Sequence, residues 1–243
     1  MIVLNTDFGL EGPYIGQVKA VLQRDAPHAF VVDLFSNLPP FEPQLAAYLL
    51  ASFVGVFPDD SVFLCVVDPG VGGERRGAVL RADRRWYVGP DNGLFNVIAQ
   101  RAAHLQWWDI SWRPDKLSNT FHGRDLFAPV AARLASGKPV PGSMVDPHER
   151  IEPDWPEDLY RIVYIDHFGN AMTGVRASTL DRSVQLHAAG QTQGLPHARS
   201  FAEVPRGQPF WYENANGLVE IAVNQGRADA LPGLGVGMPI SDR

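Results

Sequence analysis

The sequence predicts an α/β protein: a three-layer N-terminal domain built on a mostly parallel sheet, then a smaller C-terminal antiparallel β-barrel domain. Three observations carry that expectation. Up to about residue 135, apolar strand-like runs alternate with helical segments, as in a parallel sheet covered by helices. Pro139, Pro141, Pro147, Pro153 and Pro156 then crowd a stretch that suits neither a helix nor a central strand. Beyond it the pattern becomes short β runs parted by turns rich in Gly and Asn.

Taken in order, the N-terminal domain spans residues 1–138, the Pro-rich linker 139–158 and the C-terminal domain 159–243. Strands are expected at 2–4, 30–34, 62–67 and 86–88, and helices at 16–24, 43–54, 94–103 and 128–135. After the linker, β runs fall at 161–166, 183–187, 208–212 and 218–223. No internal repeat or low-complexity tract interrupts them.

Bulk properties narrow the function. The chain of 243 residues is 45% apolar, enough for a substantial core. Its formal charge is −6 and its arginines are scattered, so no phosphate-tracking face is expected and nucleic acid is excluded as a partner. The single cysteine, Cys65, lies in an apolar run and reads as a small buried hydrophobe, with no disulfide framework. No stretch reaches the roughly 18 apolar residues of a membrane span. Residues 1–7 read as a strand entering a turn and lack the pattern of a signal peptide, so a cytoplasmic protein is expected.

The most informative stretch is Phe63-Leu64-Cys65-Val66-Val67-Asp68-Pro69-Gly70-Val71-Gly72-Gly73-Glu74-Arg75-Arg76. A buried-type strand ends on a carboxylate, at the strand end where open α/β sheets bind ligands. The glycines that follow let the backbone turn sharply beside a bound molecule. Asp7, in Thr6-Asp7-Phe8-Gly9 after the first strand, is placed to accept two hydrogen bonds from a ribose cis-diol, or else to cap its own turn. His122, in Phe121-His122-Gly123-Arg124-Asp125, offers an imidazole at a loop-to-helix junction, or else packs there. Asp166-His167-Phe168-Gly169-Asn170 combines a carboxylate, an aromatic face and an amide, suited to a nucleobase or to an ordinary hairpin. Asn214-Ala215-Asn216-Gly217 and Pro90-Asp91-Asn92-Gly93 read as turns.

Absent motifs matter as well. Neither a Gly-x-x-x-x-Gly-Lys-Ser/Thr phosphate loop nor Gly-x-Gly-x-x-Gly follows the first strand, and no Gly-x-Ser-x-Gly elbow occurs. The seven histidines do not pair at zinc-ligand spacing, so neither a metal nor a cofactor is expected.

Five motifs in one order carry a resemblance over nearly the whole chain. They are Thr6-Asp7-Phe8-Gly9 with Gly12-Pro13-Tyr14, Val67-Asp68-Pro69-Gly70-Val71-Gly72, Asp91-Asn92-Gly93, Phe121-His122-Gly123-Arg124-Asp125 and Phe168-Gly169-Asn170. Together they resemble the S-adenosyl-L-methionine (SAM) hydrolases (adenosine-forming), or SAM hydroxide adenosyltransferases, relatives of the fluorinase and chlorinase. The resemblance implies attack of water or hydroxide on C5′ of the SAM ribose, giving adenosine and L-methionine. It implies a homotrimer with active sites between the N-terminal domain of one subunit and the C-terminal domain of the next. It places an Asp, Arg and His triad on Asp68, Arg75 and His122, with the carboxylate directed at the imidazole and the proton's acceptor open among the three. It further implies that Asp7 holds the ribose hydroxyls, Phe168 and Asn170 the adenine, and Asp166 the methionine ammonium, with Ala215 and Asn216 at the methionine end. The halogenating relatives lack the Asp and Arg pair and carry a serine where Gly123 stands, which favours hydrolysis over halide transfer. A SAM or nucleoside sensor without turnover is the remaining alternative. Ala215 departs from the Ser of many relatives and Gly174 from their Asn, so a backbone amide at Ala215 or Asn216 would have to serve the methionine end.

Overall fold

Residues Ile2–Thr6 are all buried and form β1, a central strand of the first of two units. In this computed structural model, which describes residues 1–188, 190 and 193–242, one unit comprises Met1–Leu50 with Val54–Asp154 and the other Ala51–Phe53 with Trp155–Arg243. The boundary after Asp154 falls inside the Pro-rich segment.

The first unit continues with α1 (Tyr14–Asp25), β2 (Val31–Phe35), α2 (Pro43–Phe53, whose last three residues fall to the second unit), β3 (Val62–Val66), β4 (Gly77–Ala82) and β5 (Arg85–Pro90). Then come α3 (Asn96–Arg101), β6 (Leu105–Ile110), a π-helical turn at Gly123–Phe127, α4 (Ala128–Ala135) and β7 (Gly142–Val145). The strands form one sheet in the order β2-β1-β3-β5-β4-β6-β7. β2, β1, β3 and β5 run parallel, while β4, β6 and β7 complete the sheet with antiparallel pairings.

Both faces of this sheet are covered, which is why β3 reads as an unbroken apolar run rather than an alternating one. One set of side chains, including Ile2, Leu4, Leu64, Val66 and Val88, packs with Val18 and Leu22 of α1 and Val130 and Leu134 of α4. Burial of each such residue stabilises by about 1.5–3 kcal/mol. On the other face Phe63 stacks on Tyr87 with ring centroids 5.2 Å apart, and Tyr87 meets Phe95 at the start of α3. Pro129 in the first turn of α4 and Gly137 beyond its end, at φ 69°, match the usual signals for a helix start and stop.

Strands β4, β6 and β7 were not among the expected runs. β4 and β6 carry Arg81, Gln106 and Asp109 among their apolar residues, and β7 lies within the Pro-rich segment as the sheet's edge, where nearby prolines are tolerated.

The second unit contains β8 (Leu159–Ile165), β9 (Ala171–Arg176), β10 (His187–Ala188), β11 (Pro209–Glu213), β12 (Leu218–Val223) and β13 (Ile240–Ser241). An antiparallel sheet runs β11-β12-β9-β8, and β10 pairs with β13. Isolated bridges extend the pairing, Arg161 with Pro239, Leu186 with Leu195 and His197 with Trp211. Ala171, Ile221 and Trp211 turn into an apolar core with Ile162, Val219 and Leu234. Tyr164, Met172, Glu220 and Tyr212 form a row across all four strands. No helix among the described residues is long and apolar enough to cross a membrane.

Candidate active site

Strands β1 and β3 lie side by side with Thr6 opposite Val66, so Asp7 and Asp68 emerge from the same carboxyl edge of the sheet. The Asp7 amide donates to the Val66 carbonyl at 3.2 Å, fixing the two strand ends together. Asn92, in the turn after β5, donates from Nδ2 to the Val67 carbonyl at 2.9 Å and so holds the residue immediately before Asp68. The sequence showed Asn92 in a turn and in one of the five motifs, with no role of its own; its positioning role follows from a contact 25 residues away in the chain.

The loop after Asp68 folds back on itself. The Val71 amide donates to the Asp68 carbonyl and the Gly73 amide to the Gly70 carbonyl. Gly72 has φ 82°, and a Cβ there would overlap the Asn119 carbonyl, so this position requires glycine on both counts. The fold-back returns Arg75 to Asp68: Nε donates to Oδ1 at 2.8 Å and Nη2 to Oδ2, a two-pronged ion pair. Both side chains are largely buried, and the guanidinium lies over the Phe127 ring, 5.1 Å from its centroid.

Arg75 also reaches His122, with Nη2 2.9 Å from Nδ1. A guanidinium only donates, so Nδ1 is the acceptor and the neutral ring carries its proton on Nε2. Asp68 is therefore linked to the imidazole through the guanidinium, whereas the sequence reading directed the carboxylate at the ring itself. Burial, followed by the positive charge of Arg75, lowers the His122 pKa below its ordinary 6.5. His122 immediately precedes the π-helical turn, a feature frequent at functional sites. A Cβ on Gly123 would lie 2.8 Å from the Phe8 ring, so the small residue lets that ring close on the site.

Asp7 accepts from the Phe41 amide at 3.3 Å, and burial, with the nearby Asp68 charge as a smaller cause, raises its pKa. Phe41 adopts φ 65°, unusual for a residue with a side chain, and is 72% exposed. Asp7, Phe8, Phe41, Asp68, Thr120 and His122 help line a cavity of about 130 Å³. Phe8, Phe41 and Thr120 had carried no individual role in the sequence reading. The neighbouring Arg124 and Asp125 pair with each other, and Asp125 also accepts from the Ser118 amide, so both serve the loop.

The remaining candidates belong to the second unit. Asp166, Phe168 and Asn170 sit on the turn from β8 to β9, and Ala215 and Asn216 on the turn from β11 to β12. The pairing of Leu218 with Arg176 and of Ile221 with Ala171 puts these turns at opposite ends of the β9–β12 ladder. Asn170 donates through its amide and Nδ2 to the two Asp166 oxygens, at 2.8 and 3.1 Å, and Phe168 is exposed. Ala215 is exposed, and the Asn216 amide is already taken up by Asn214 Oδ1 at 2.9 Å. Gly174 lies within β9, where a Cβ would meet Leu159 at 2.7 Å, so a larger side chain there requires rearrangement. Among the described residues, no group of three or more His, Cys, Asp or Glu is arranged to hold a metal ion.

Comparison with known proteins finds similarity over nearly the whole chain. Residues 2–143 match the SAM hydroxide adenosyltransferase N-terminal domain and residues 160–241 the corresponding C-terminal domain. A (R)-S-adenosyl-L-methionine hydrolase of Thermus thermophilus is 40% identical, covering 97% of this chain and 96% of its own. A hydrolase of the same name from Salinispora arenicola is 37% identical, covering 95% and 92%. The crystal structure of an uncharacterized conserved protein from Thermotoga maritima superposes with a TM-score of 0.88 at 30% identity, covering 99% of this chain and 98% of that one.

Proposed function

The chain belongs to the SAM hydroxide adenosyltransferase family, and from that premise we propose that it hydrolyses S-adenosyl-L-methionine to adenosine and L-methionine. The observation that carries this reading is the Asp68–Arg75–His122 contact beside Asp7 at the carboxyl edge of the sheet. In the proposed reaction a water oxygen bonds to C5′ as the C5′–S bond breaks. The sulfur leaves with the bonding pair as the neutral thioether of methionine, and one proton is released. Because the leaving group departs uncharged, the burden falls on the nucleophile, since bulk water has a pKa of about 15.7.

Arg75 and His122 suit that burden. Asp68 holds the guanidinium in one orientation, and Arg75 favours the hydroxide form of the attacking water. His122, its Nδ1 engaged by Arg75, offers Nε2–H as a second donor to the same oxygen. In this arrangement the imidazole positions the nucleophile; for it to accept a proton at Nδ1, the Arg75 contact must first break. Asp7 binds the ribose hydroxyls, Phe168 and Asn170 the adenine, and Asp166 the methionine ammonium. The backbone amide of Ala215 serves the carboxylate, that of Asn216 being engaged by Asn214 Oδ1.

The active form in this reading is a homotrimer in the cytoplasm, each site shared between the first unit of one subunit and the second unit of another. The cavity beside Asp7, about 130 Å³, is small against the ~300–1,000 Å³ of ligand sites, and Phe41, which lines it, is 72% exposed. Both features suit a site completed by another copy.

Incubation of the purified protein with SAM, with and without chloride, tests the proposal against an enzyme-free blank. Adenosine and methionine above the blank, abolished by Asp68→Ala, are expected. SAM bound without turnover would replace hydrolysis with a sensor, and a chloride-dependent 5′-chloro nucleoside would replace it with halide transfer.

A further inference from the structure

Glu220 is a buried carboxylate in the middle of the second unit's sheet, 3% exposed. It stands opposite Tyr212 on β11 and Met172 on β9, on the face that also carries Asn214, Asn170 and Asp166. Asn214 Nδ2 donates to Oε2 at 2.8 Å, and Tyr212 donates its hydroxyl to Oε1 at 2.5 Å. The orientation of the Asn214 amide is fixed independently. Its Oδ1 accepts from the backbone amides of Asn216 and Leu218, at 2.9 and 3.1 Å, so Nδ2 must point to Glu220. On the other turn Asn170, two residues before Met172 and so on the same face of the sheet, donates to Asp166, and both lie close enough to act on Glu220. One carboxylate thus bonds the 214–216 turn directly and feels the charge of the 166–170 turn, although the two lie at opposite ends of the β9–β12 ladder.

The charge around Glu220 is one-sided. Its hydrogen-bond partners are neutral donors, and its pKa is raised, by burial first and by the Asp166 charge as a smaller cause. Arg227, whose charge reaches Asp166, is held by both oxygens of Asp229 and is itself exposed. Two nearby carboxylates served mainly by amides and a hydroxyl favour a cation between the turns.

We propose that Glu220 is a specificity-determining residue of the substrate site: it holds the 166–170 and 214–216 turns in register and, with Asp166, makes the space between them select an ammonium-bearing amino-acid end attached to a nucleoside. The inference rests on the reading of this unit as part of the SAM site. Glu220 touches no substrate in this account; it acts through Asp166, Asn170 and Asn214. Gln at this position keeps the Asn214 bond at its amide oxygen and reverses the Tyr212 bond, its amide nitrogen donating to the phenol oxygen, while it removes the charge.

The test compares binding of S-adenosyl-L-homocysteine, which keeps the amino-acid end without the cleavable sulfonium, with binding of adenosine. Calorimetry on the full-length assembled protein would cover wild type, Glu220→Gln and Glu220→Asp. Glu220→Gln is expected to weaken S-adenosyl-L-homocysteine about tenfold and adenosine less than about twofold, with Glu220→Asp recovering most of the difference. The KM for SAM should rise in Glu220→Gln with little change in kcat. Equal losses for both ligands, or no loss for either, would overturn the proposal. If Glu220→Gln does not fold, Tyr212→Phe takes its place: the same selective loss, smaller in size, supports the proposal, and an unchanged ratio overturns it. Wild type that binds both ligands yet releases no adenosine from SAM contradicts hydrolysis alone, whereas wild type that binds neither contradicts the site and this inference together.

Discussion

Arg75 Nη2 lies 2.9 Å from His122 Nδ1, and the same guanidinium is held by both oxygens of Asp68. Residues 47 positions apart are thereby joined, and the direction of the bond assigns the imidazole tautomer. A protonated His122 would set a cation against Arg75 and lose the acceptor at Nδ1.

The rate should therefore fall as pH drops through a His122 pKa lying below 6.5. Stability should follow the same sign. The unfolded chain binds the proton more readily, so the neutral-ring contribution is complete above about 6.5 and is lost below the folded-state value. A pH–rate profile and thermal melts across pH 4–8 check both; an acid limb above 6.5, or one unchanged in His122→Asn, contradicts the assignment.

Replacing Arg75 with Lys keeps a positive charge but loses the planar fork that meets Asp68 and His122 together. Hydrolysis should drop on the order of 10²–10³-fold in kcat, the scale of losing one preorganised donor at a developing anion. Steady-state kinetics would reveal it, and near-normal turnover would show that charge alone suffices.

Gly72→Ala should destabilise the first unit. The substitution imposes a strained left-handed backbone and drives a Cβ into the Asn119 carbonyl, costing roughly 1–3 kcal/mol for the backbone alone. Denaturant unfolding measures the loss; a variant as stable as wild type would mean that the 68–76 loop does not depend on this close approach.

Gly123→Ser should impair hydrolysis without producing halide transfer. Its Cβ must displace the Phe8 ring, which also packs against Phe121, and the wall beside His122 moves with it. A loss on the order of tenfold to a hundredfold is expected from misplacement of this kind, read as adenosine release in chloride-containing buffer. A 5′-chloro nucleoside would show that this one position decides the nucleophile.

Sedimentation should report a trimer. Leu10→Asp, at a residue 80% exposed, should weaken association and activity together while the fold persists. A monomer with full activity would rule out sites shared between subunits.

Much of the fold is legible along the chain because its signals are local. The apolar run at Val62–Val66 reads as a strand buried on both faces, and the segment at Ala128–Ala135 matches its expected helix. The paired edge strands were harder to see. β4 and β6 interleave charged or polar residues with apolar ones, and β7 is only four residues long. The short β run expected at 183–187 survives in the structure only as its last residue, in β10.

Asp7, Asp68 and His122 could be singled out from sequence because they stand at strand ends and in glycine-bearing turns, and Arg75 through the family resemblance. Those turns mark where backbone must bend, and the marks are local. The sequence by itself determined the two-part α/β design and these candidate residues. Only the tertiary structure decided that the guanidinium, and not the carboxylate, meets the imidazole, that Asn92 steadies the strand end, and that Glu220 is buried against Tyr212 and Asn214. Strand register and loop closure set those contacts, and both arise from packing between residues far apart in the chain, which no local pattern encodes.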